Sequence, residues 1–276
     1  MAYKSLMVHL ELNGDNGGIL KIAGELARRF DARVIGIAAC QPIQLPVTDG
    51  LYVGEAIKQD RQEIEEQFAA AESQFRNALQ GLAGSLEWRS AIVDGSLAGY
   101  MAQQARAADL IITGKDVGSS LVNETRRVNL GDLVMGAGRP ILVVPKGIAT
   151  LAMRHVMVGW KNSREARRAV ADALPFLEAA GRATVLSVTS QQESAAVQAE
   201  AGDVAAWLQQ HGVEAGAEVL VAAGTEAGYL RATLLDRKCD LLVAGAYGHN
   251  RLREWMFGGV TTDALTNPPC CVLLSH

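Results

Sequence analysis

The sequence lacks the commonest signatures of nucleotide-driven or hydrolytic catalysis. It contains no Gly-x-x-x-x-Gly-Lys-Ser/Thr and no Gly-x-Gly-x-x-Gly, so neither of the two commonest phosphate-binding turns is present. No Gly-x-Ser-x-Gly turn marks a nucleophilic serine, and no carboxylate cluster is suited to hold magnesium beside a phosphate. The four cysteines (Cys40, Cys239, Cys270, Cys271) have no Cys-x-x-Cys spacing. Three of them lie in or beside apolar runs, so reduced thiols packed as small apolar side chains are expected. The five histidines (His9, His155, His211, His249, His276) form no i, i+4 pair of the metalloprotease kind. Positive charge is also in deficit. Lys plus Arg is 26 against 30 for Asp plus Glu, a net charge of -4, which argues against a nucleic-acid partner. No apolar run approaches the length of a membrane span. Met1-Ala2-Tyr3-Lys4 does not begin a secretory signal, and a cytoplasmic location is the expectation.

What is present is a globular composition, 49% apolar and 20% charged, over 276 residues, enough for two domains. The chain is written twice. Leu6-Met7-Val8-His9-Leu10 resembles Val156-Met157-Val158-Gly159-Trp160. Ala108-Asp109-Leu110-Ile111-Ile112-Thr113-Gly114 resembles Cys239-Asp240-Leu241-Leu242-Val243-Ala244-Gly245. Gly138-Arg139-Pro140-Ile141-Leu142-Val143-Val144 resembles Pro268-Pro269-Cys270-Cys271-Val272-Leu273-Leu274. The offset falls from 150 at the first strand to 131 at the fourth, so the first copy is about 19 residues longer. The Pro- and Gly-bearing stretch from Gln41 to Val53 is the expected place of the excess.

Short apolar runs alternate with helical patterns in both copies. Strands are predicted near 5–10, 33–39, 86–93, 109–113 and 141–145, then 155–160, 182–188, 213–222, 240–244 and 270–274. Helices are predicted near 17–30, 54–82, 96–107 and 130–137, then 163–179, 193–211, 225–238 and 259–266. Ser163 is a suitable N-cap, and Glu165 favours the positive end of its helix. This pattern predicts an α/β fold of two tandem domains, 1–147 and 153–276. Each would be a five-stranded parallel sheet with helices on both faces. If the strand order is 3-2-1-4-5, ligands bind where that order reverses, at the carboxyl ends of strands one and four.

After the fourth strand of the second copy comes Gly245-Ala246-Tyr247-Gly248, nine residues, then Gly258-Gly259-Val260-Thr261. Glycines at a strand exit permit tight turning and close approach. A glycine pair opening a helix leaves N–H groups free for an anion. Arg251 and Arg253, the apolar Trp255-Met256-Phe257 and His249 lie in this stretch, where solvation or packing explains them more readily than ligand contact. Asp109 and Asp240 open the fourth strands, where capping outweighs catalysis.

Gly-x-x-Gly, nine residues, Gly, a small residue, Val and Thr resembles the nucleotide-binding signature of the universal stress protein family, and the chain resembles a tandem member. The resemblance implies an adenine-nucleotide ligand, ATP or ADP with any magnesium accompanying it. Gly245, Gly248, Gly258, Gly259, Val260 and Thr261 would hold its phosphates and ribose, and Val188 would line the adenine. Gly259 stands where ATP-binding members carry Ser or Thr. Lys161 stands where they carry Asp, and a lysine cannot accept a hydrogen bond; it meets a phosphate or is solvated. In the first copy Gly114-Lys115-Asp116-Val117-Gly118 has the wrong glycine spacing, Asp132 replaces a hydroxyl, and Glu11 takes the Asp position. That half is expected to be structural and nucleotide-free. A related adenylating enzyme would need Ser-Gly-Gly-x-Asp-Ser after strand one, which Asn13-Gly14-Asp15 and Lys161-Asn162-Ser163 do not supply. The implied function is a nucleotide-binding sensor or switch in the stress response, with at most slow ATP hydrolysis and an unidentified protein partner. The apolar edge strands imply an intramolecular pseudo-dimer, with homodimerisation left open. The alternative is a scaffold in which both sites have decayed.

Overall fold

The structure is a computed structural model describing residues 2–43, 52–115, 126–221, 226–246 and 269–276, with 52, 53 and 226–228 in backbone only. The first half runs β1 (Ser5–His9), α1 (Gly17–Phe30), β2 (Arg33–Cys40), α2 (Tyr52–Leu79), β3 (Leu86–Ile92), α3 (Leu97–Gln104), β4 (Leu110–Gly114), α4 (Leu130–Ala137) and β5 (Ile141–Val144). The second runs β6 (His155–Gly159), α5 (Arg164–Asp172), α6 (Leu174–Leu177), β7 (Arg182–Thr189), α7 (Ser194–Gln210), β8 (Ala215–Val221), α8 (Glu226–Asp236), β9 (Leu241–Gly245) and β10 (Cys271–Ser275). The helix expected at 259–266 lies outside the described residues.

The ten strands among the described residues form one sheet in the order β3-β2-β1-β4-β5-β10-β9-β6-β7-β8. Each half therefore has the 3-2-1-4-5 order and is parallel throughout. The halves join where β5 and β10 pair antiparallel, Leu142 opposite Leu273. The two apolar edges expected at 141–145 and 270–274 thus cover one another, which removes unpaired backbone that would otherwise template association.

The central strands read as continuous apolar runs because helices cover both faces. Along β1, Leu6 and Val8 face one layer and Met7 the other, and all three are fully buried. The outermost strands β3 and β8 are only half-buried. Helix starts follow local chemistry. Ser96, Asn129 and Ser163 accept from the backbone N–H of Gly99, Asp132 and Ala166, satisfying donors that a helix cannot pair internally.

Two differences from the sequence expectation have clear causes. The predicted helix 163–179 divides into α5 and α6 because Pro175 supplies no N–H and crowds the preceding turn. The extra length of the first copy lies largely in a helix rather than in the loop near 41–53: α2 has 28 residues and its counterpart α7 has 17. The polar face of α2 allowed the helix to lengthen without demanding more core.

The repeat extends to individual atoms. Asp109 Oδ2 accepts from the backbone N–H of Lys4 and Ser5 at 2.8 and 2.9 Å. Asp240 Oδ2 accepts from those of Arg154 and His155 at 2.7 and 3.2 Å. Each carboxylate ties the start of a fourth strand to the start of a first strand. Both lie at the amino edge of the sheet, opposite its carboxyl rim. Tyr3, Phe30 and Phe176 pack ring to ring at 5.3–5.9 Å, joining the segment before β1 to α1 and α6 across the two halves, and Tyr3 donates its hydroxyl to the Asp172 carbonyl.

Candidate functional site

Strand order reverses once in each half, beside β1 and beside β6, so two rims are candidates. In the second half, Gly159 of β6 lies between Ala244 of β9 and Leu186 of β7. The next residues along these strands put Lys161, Gly245 and Val188 on one carboxyl rim. Lys161 is exposed; Gly245 and Val188 are half-buried. Gly248, Gly258, Gly259, Val260 and Thr261 lie outside the described residues, as do His249, Arg251, Arg253 and Trp255–Phe257.

Gly245 has a packing reason to be glycine. A Cβ there would come within 2.4 Å of the Ala166 nitrogen and 2.5 Å of the Glu165 carbonyl carbon. The first turn of α5 therefore sits directly against the strand exit. The group approaching Gly245 is the protein's own backbone, which the sequence reading of a ligand-facing glycine did not anticipate. Around this rim, three buried polar atoms have no hydrogen-bond partner among the described residues: Trp160 Nε1, Glu165 Oε2 and Ser275 Oγ. Orphaned groups of this kind call for a water, an ion or a ligand. Burial pushes the Glu165 carboxyl up, but its own backbone N–H, the Ser163 hydroxyl and Arg164 outweigh burial and hold its pKa below the ordinary value. Glu165 is thus an anion inside the helix start.

The first half contains a cleft of about 370 Å3 over the carboxyl ends of β1, β2 and β4. Its wall after β1 is a closed turn. Asn16 accepts from the Glu11 N–H and donates to the Glu11 carbonyl, both at 3.0 Å, and Asn13 takes a left-handed conformation at φ 57°. Asp15 Oδ1 accepts from Gly17 N at 3.0 Å, so the start of α1 is already capped by a carboxylate. The floor holds His9, 6% exposed, whose Nδ1 lies 2.9 Å from Thr113 Oγ1. Burial lowers the His9 pKa to about 4, so the ring is neutral at neutral pH. Lys115, Arg126, Arg127 and Lys146 converge on this cleft from three separate segments. Sequence reading singled out Lys115 alone of these, because their nearness depends on strand order rather than spacing. Asp60 of α2 pairs with Arg126 and also accepts from Ile43 N at 2.7 Å.

Among the described residues no group of three His, Cys, Asp or Glu is placed to hold a metal ion. No helix among them is long and apolar enough to cross a membrane. All four cysteines are buried and free, and burial pushes the Cys271 thiol up to about 12.

Residues 153–276 match the family model described as "Universal stress protein family". Among solved structures, a universal stress protein from Archaeoglobus fulgidus DSM 4304 is similar over 98% of this chain and 95% of its own, with a TM-score of 0.73 and 13% identity. A functionally unknown protein from Pseudomonas aeruginosa PAO1 is similar over 99% of this chain and 92% of its own, with a TM-score of 0.62 and 18% identity. At these identities the likeness is one of fold, and it spans both halves. Comparison with curated protein sequences gives no match.

Proposed function

We propose, from the premise that the C-terminal half of the chain belongs to the universal stress protein family, that this half binds an adenine nucleotide, ATP or ADP, and acts as a sensor or switch with little or no catalysis. The observation that carries this reading is the shared rim at the strand-order reversal. Lys161, Val188 and Gly245 follow the paired ends of β6, β7 and β9 there, near Trp160 Nε1, Glu165 Oε2 and Ser275 Oγ, which have no partner among the described residues. Backbone N–H groups of the glycine stretch Gly248 to Thr261 would receive the phosphates, and magnesium would arrive with the nucleotide. The domains divide between residues 147 and 153.

Equilibrium titration of the intact chain with ATP and ADP tests the proposal, with saturable binding expected. Gly248→Val and Gly258→Val should each abolish it by blocking backbone approach. Absence of binding at millimolar nucleotide, with the fold intact by circular dichroism, defeats the proposal. The packing of Gly245 against α5 favours the second reading, a scaffold without nucleotide. Native mass spectrometry separates the two, since retained ATP or ADP accompanies only the first.

A further inference from the structure

The sheet ends on two outer strands, and they are not alike. β3 carries Glu87 and Arg89, which pair at 2.8 Å, and charges on an edge discourage further pairing. β8, Ala215-Gly216-Ala217-Glu218-Val219-Leu220-Val221, has one charge and no proline, and it pairs with β7 in unbroken register. Its Glu218 carboxylate is held by Arg237 at 2.6 Å. The backbone of β8 divides between two sides. Ala183 N donates to the Glu214 carbonyl, so by alternation the N–H and C=O groups of Gly216, Glu218 and Leu220 point at β7. Those of Ala217, Val219 and Val221 point outward. The Ala215 carbonyl points the same way and accepts from Gln209 Nε2 at 2.7 Å. Among the described residues no strand pairs with this outer edge.

A second, independent observation concerns α7, which packs on both β7 and β8 and is therefore set back from the open edge. The Gln209 contact fixes which side of α7 overlooks that edge. At helical spacing Ala195, Ala199, Gly202 and Ala206 share this side with Gln198 and Gln209. The three alanines are exposed, and a Cβ at Gly202 would meet nothing within 4 Å. Glu200, Asp203 and Trp207 lie on the other side of the helix. The surface above the open edge is thus uncharged and built mostly of small residues, which lets a second helix approach to about 8–10 Å.

We propose that the outer edge of β8 joins a second copy of this chain, antiparallel about a two-fold axis at Val219. That register sets Val219 opposite Val219 of the second copy, and Ala217 opposite Val221 in both directions. Each outward residue then exchanges both N–H and C=O with the residue facing it, as members of a hydrogen-bonded antiparallel pair do. Ala217, Val219 and Val221 form an apolar ladder on the α7 face, where Ala215 and Ala217 already pack on the core. On the other face Glu218 stands opposite Leu220, so like charges do not meet directly, and each Glu218 keeps its own Arg237. The two α7 helices meet along their small sides. One patch serves both copies, as a closed two-fold interface requires. This self-complementarity selects a second copy over an arbitrary extended peptide, which would pair with β8 and leave the side of α7 uncovered.

Sedimentation velocity of the full, nucleotide-free chain tests this. From micromolar to millimolar concentration it should show a reversible monomer–dimer equilibrium. Amide hydrogen exchange over 215–221 should slow as the dimer fills. Val219→Pro removes the N–H at the two-fold axis without touching the ladder to β7, and should weaken dimerisation about tenfold or more by removing hydrogen bonds from both copies. Ala206→Arg, at an exposed position, sets like charges against each other along the α7 seam. It should weaken the dimer more at low salt than at high. Ser90→Pro is the control. The Val34 N to Ser85 carbonyl bond places Ser90 on the outward side of β3 by the same alternation, so this variant should dimerise as the parent does. If Val219→Pro loses its fold by circular dichroism, Ala206→Arg and Ser90→Pro carry the comparison. A monomer throughout the range overturns the proposal, whether or not an extended peptide binds the edge. Unchanged dimer affinity in either folded variant also overturns it, as does a dimer lost in Ser90→Pro or one that leaves exchange over 215–221 unaltered.

Discussion

Replacing Gly245 by alanine would place a Cβ 2.4 Å from the Ala166 nitrogen, 2.5 Å from the Glu165 carbonyl carbon and 2.9 Å from the Ala166 Cα. All three are backbone atoms, so no side chain can rotate away. To restore ordinary contact, the first turn of α5 must move roughly 1 Å off β9, a mismatch that close-packed interiors do not absorb freely. Overpacking of this kind costs about 1–3 kcal/mol, occasionally more. Contact with three consecutive backbone atoms of one peptide unit, all under 3.0 Å, puts Gly245→Ala at the top of that range, about 3 kcal/mol. Gly114 is the control. It is the counterpart of Gly245 in the first half, and a Cβ there meets only Ile19 Cδ1 at 3.4 Å and Glu11 Oε1 at 3.5 Å. Both are ends of flexible side chains, so Gly114→Ala should change stability by less than about 0.5 kcal/mol. Urea unfolding of the nucleotide-free chain, followed by tryptophan fluorescence and circular dichroism, gives midpoint and slope for both variants. Gly245→Ala unfolding at the wild-type urea concentration would refute the reasoning. So would Gly114→Ala losing as much stability as Gly245→Ala.

Stability should fall between pH 7 and pH 5 through His9. Its folded pKa of about 4 lies below the unfolded value of 6.5, so the unfolded chain gains a proton in that window while the folded chain does not. The contribution is about 2 kcal/mol by linkage, and His9→Gln should flatten the curve measured by urea melts at the two pH values. At lower pH, Asp240 becomes the sensitive group. Burial raises its pKa, but hydrogen bonds from Arg154 and from the Arg154 and His155 backbone outweigh burial and depress it. Its stabilisation is present above the unfolded carboxylate pKa and is lost as pH falls through the lower folded value. Asp240→Ala should cost about 2 kcal/mol by leaving two backbone N–H groups unpaired, read as a shifted denaturation midpoint. Phe176→Ala should cost about 3–5 kcal/mol, since its fully buried ring packs on Tyr3 and Phe30; a thermal melt checks it. Finally, none of the four buried thiols should react with iodoacetamide in the native chain, whereas all four should be modified in urea.

Most of the fold was legible because it rests on local signals repeated twice. Apolar runs without alternation gave the parallel strands, and the bounds of α1 and α4 follow from periodicity with glycine or polar flanks. The break at Pro175 was also written in the sequence, but strong periodicity from Ala166 to Leu177 masked it. The site was less legible for two reasons. Gly245 reads the same whether a phosphate or a helix approaches it; only the position of α5 distinguishes them. The N-terminal cleft draws its charge from Lys115, Arg126, Arg127 and Lys146, which no motif links. Strand order and the return of the chain after β5 bring them together, and one-dimensional spacing does not carry that information.

The antiparallel meeting of β5 with β10 has a consequence for how such a molecule evolves and assembles. Two half-sheets that share a backbone meet at an effective concentration fixed by the tether rather than by expression level. That tether favours the intramolecular pairing over exchange with half-sheets from other chains. In a symmetric homodimer, every substitution appears twice and the two pockets must change together. Within one polypeptide each half can drift alone, so a cationic cleft over the first half of the sheet need not be matched in the second.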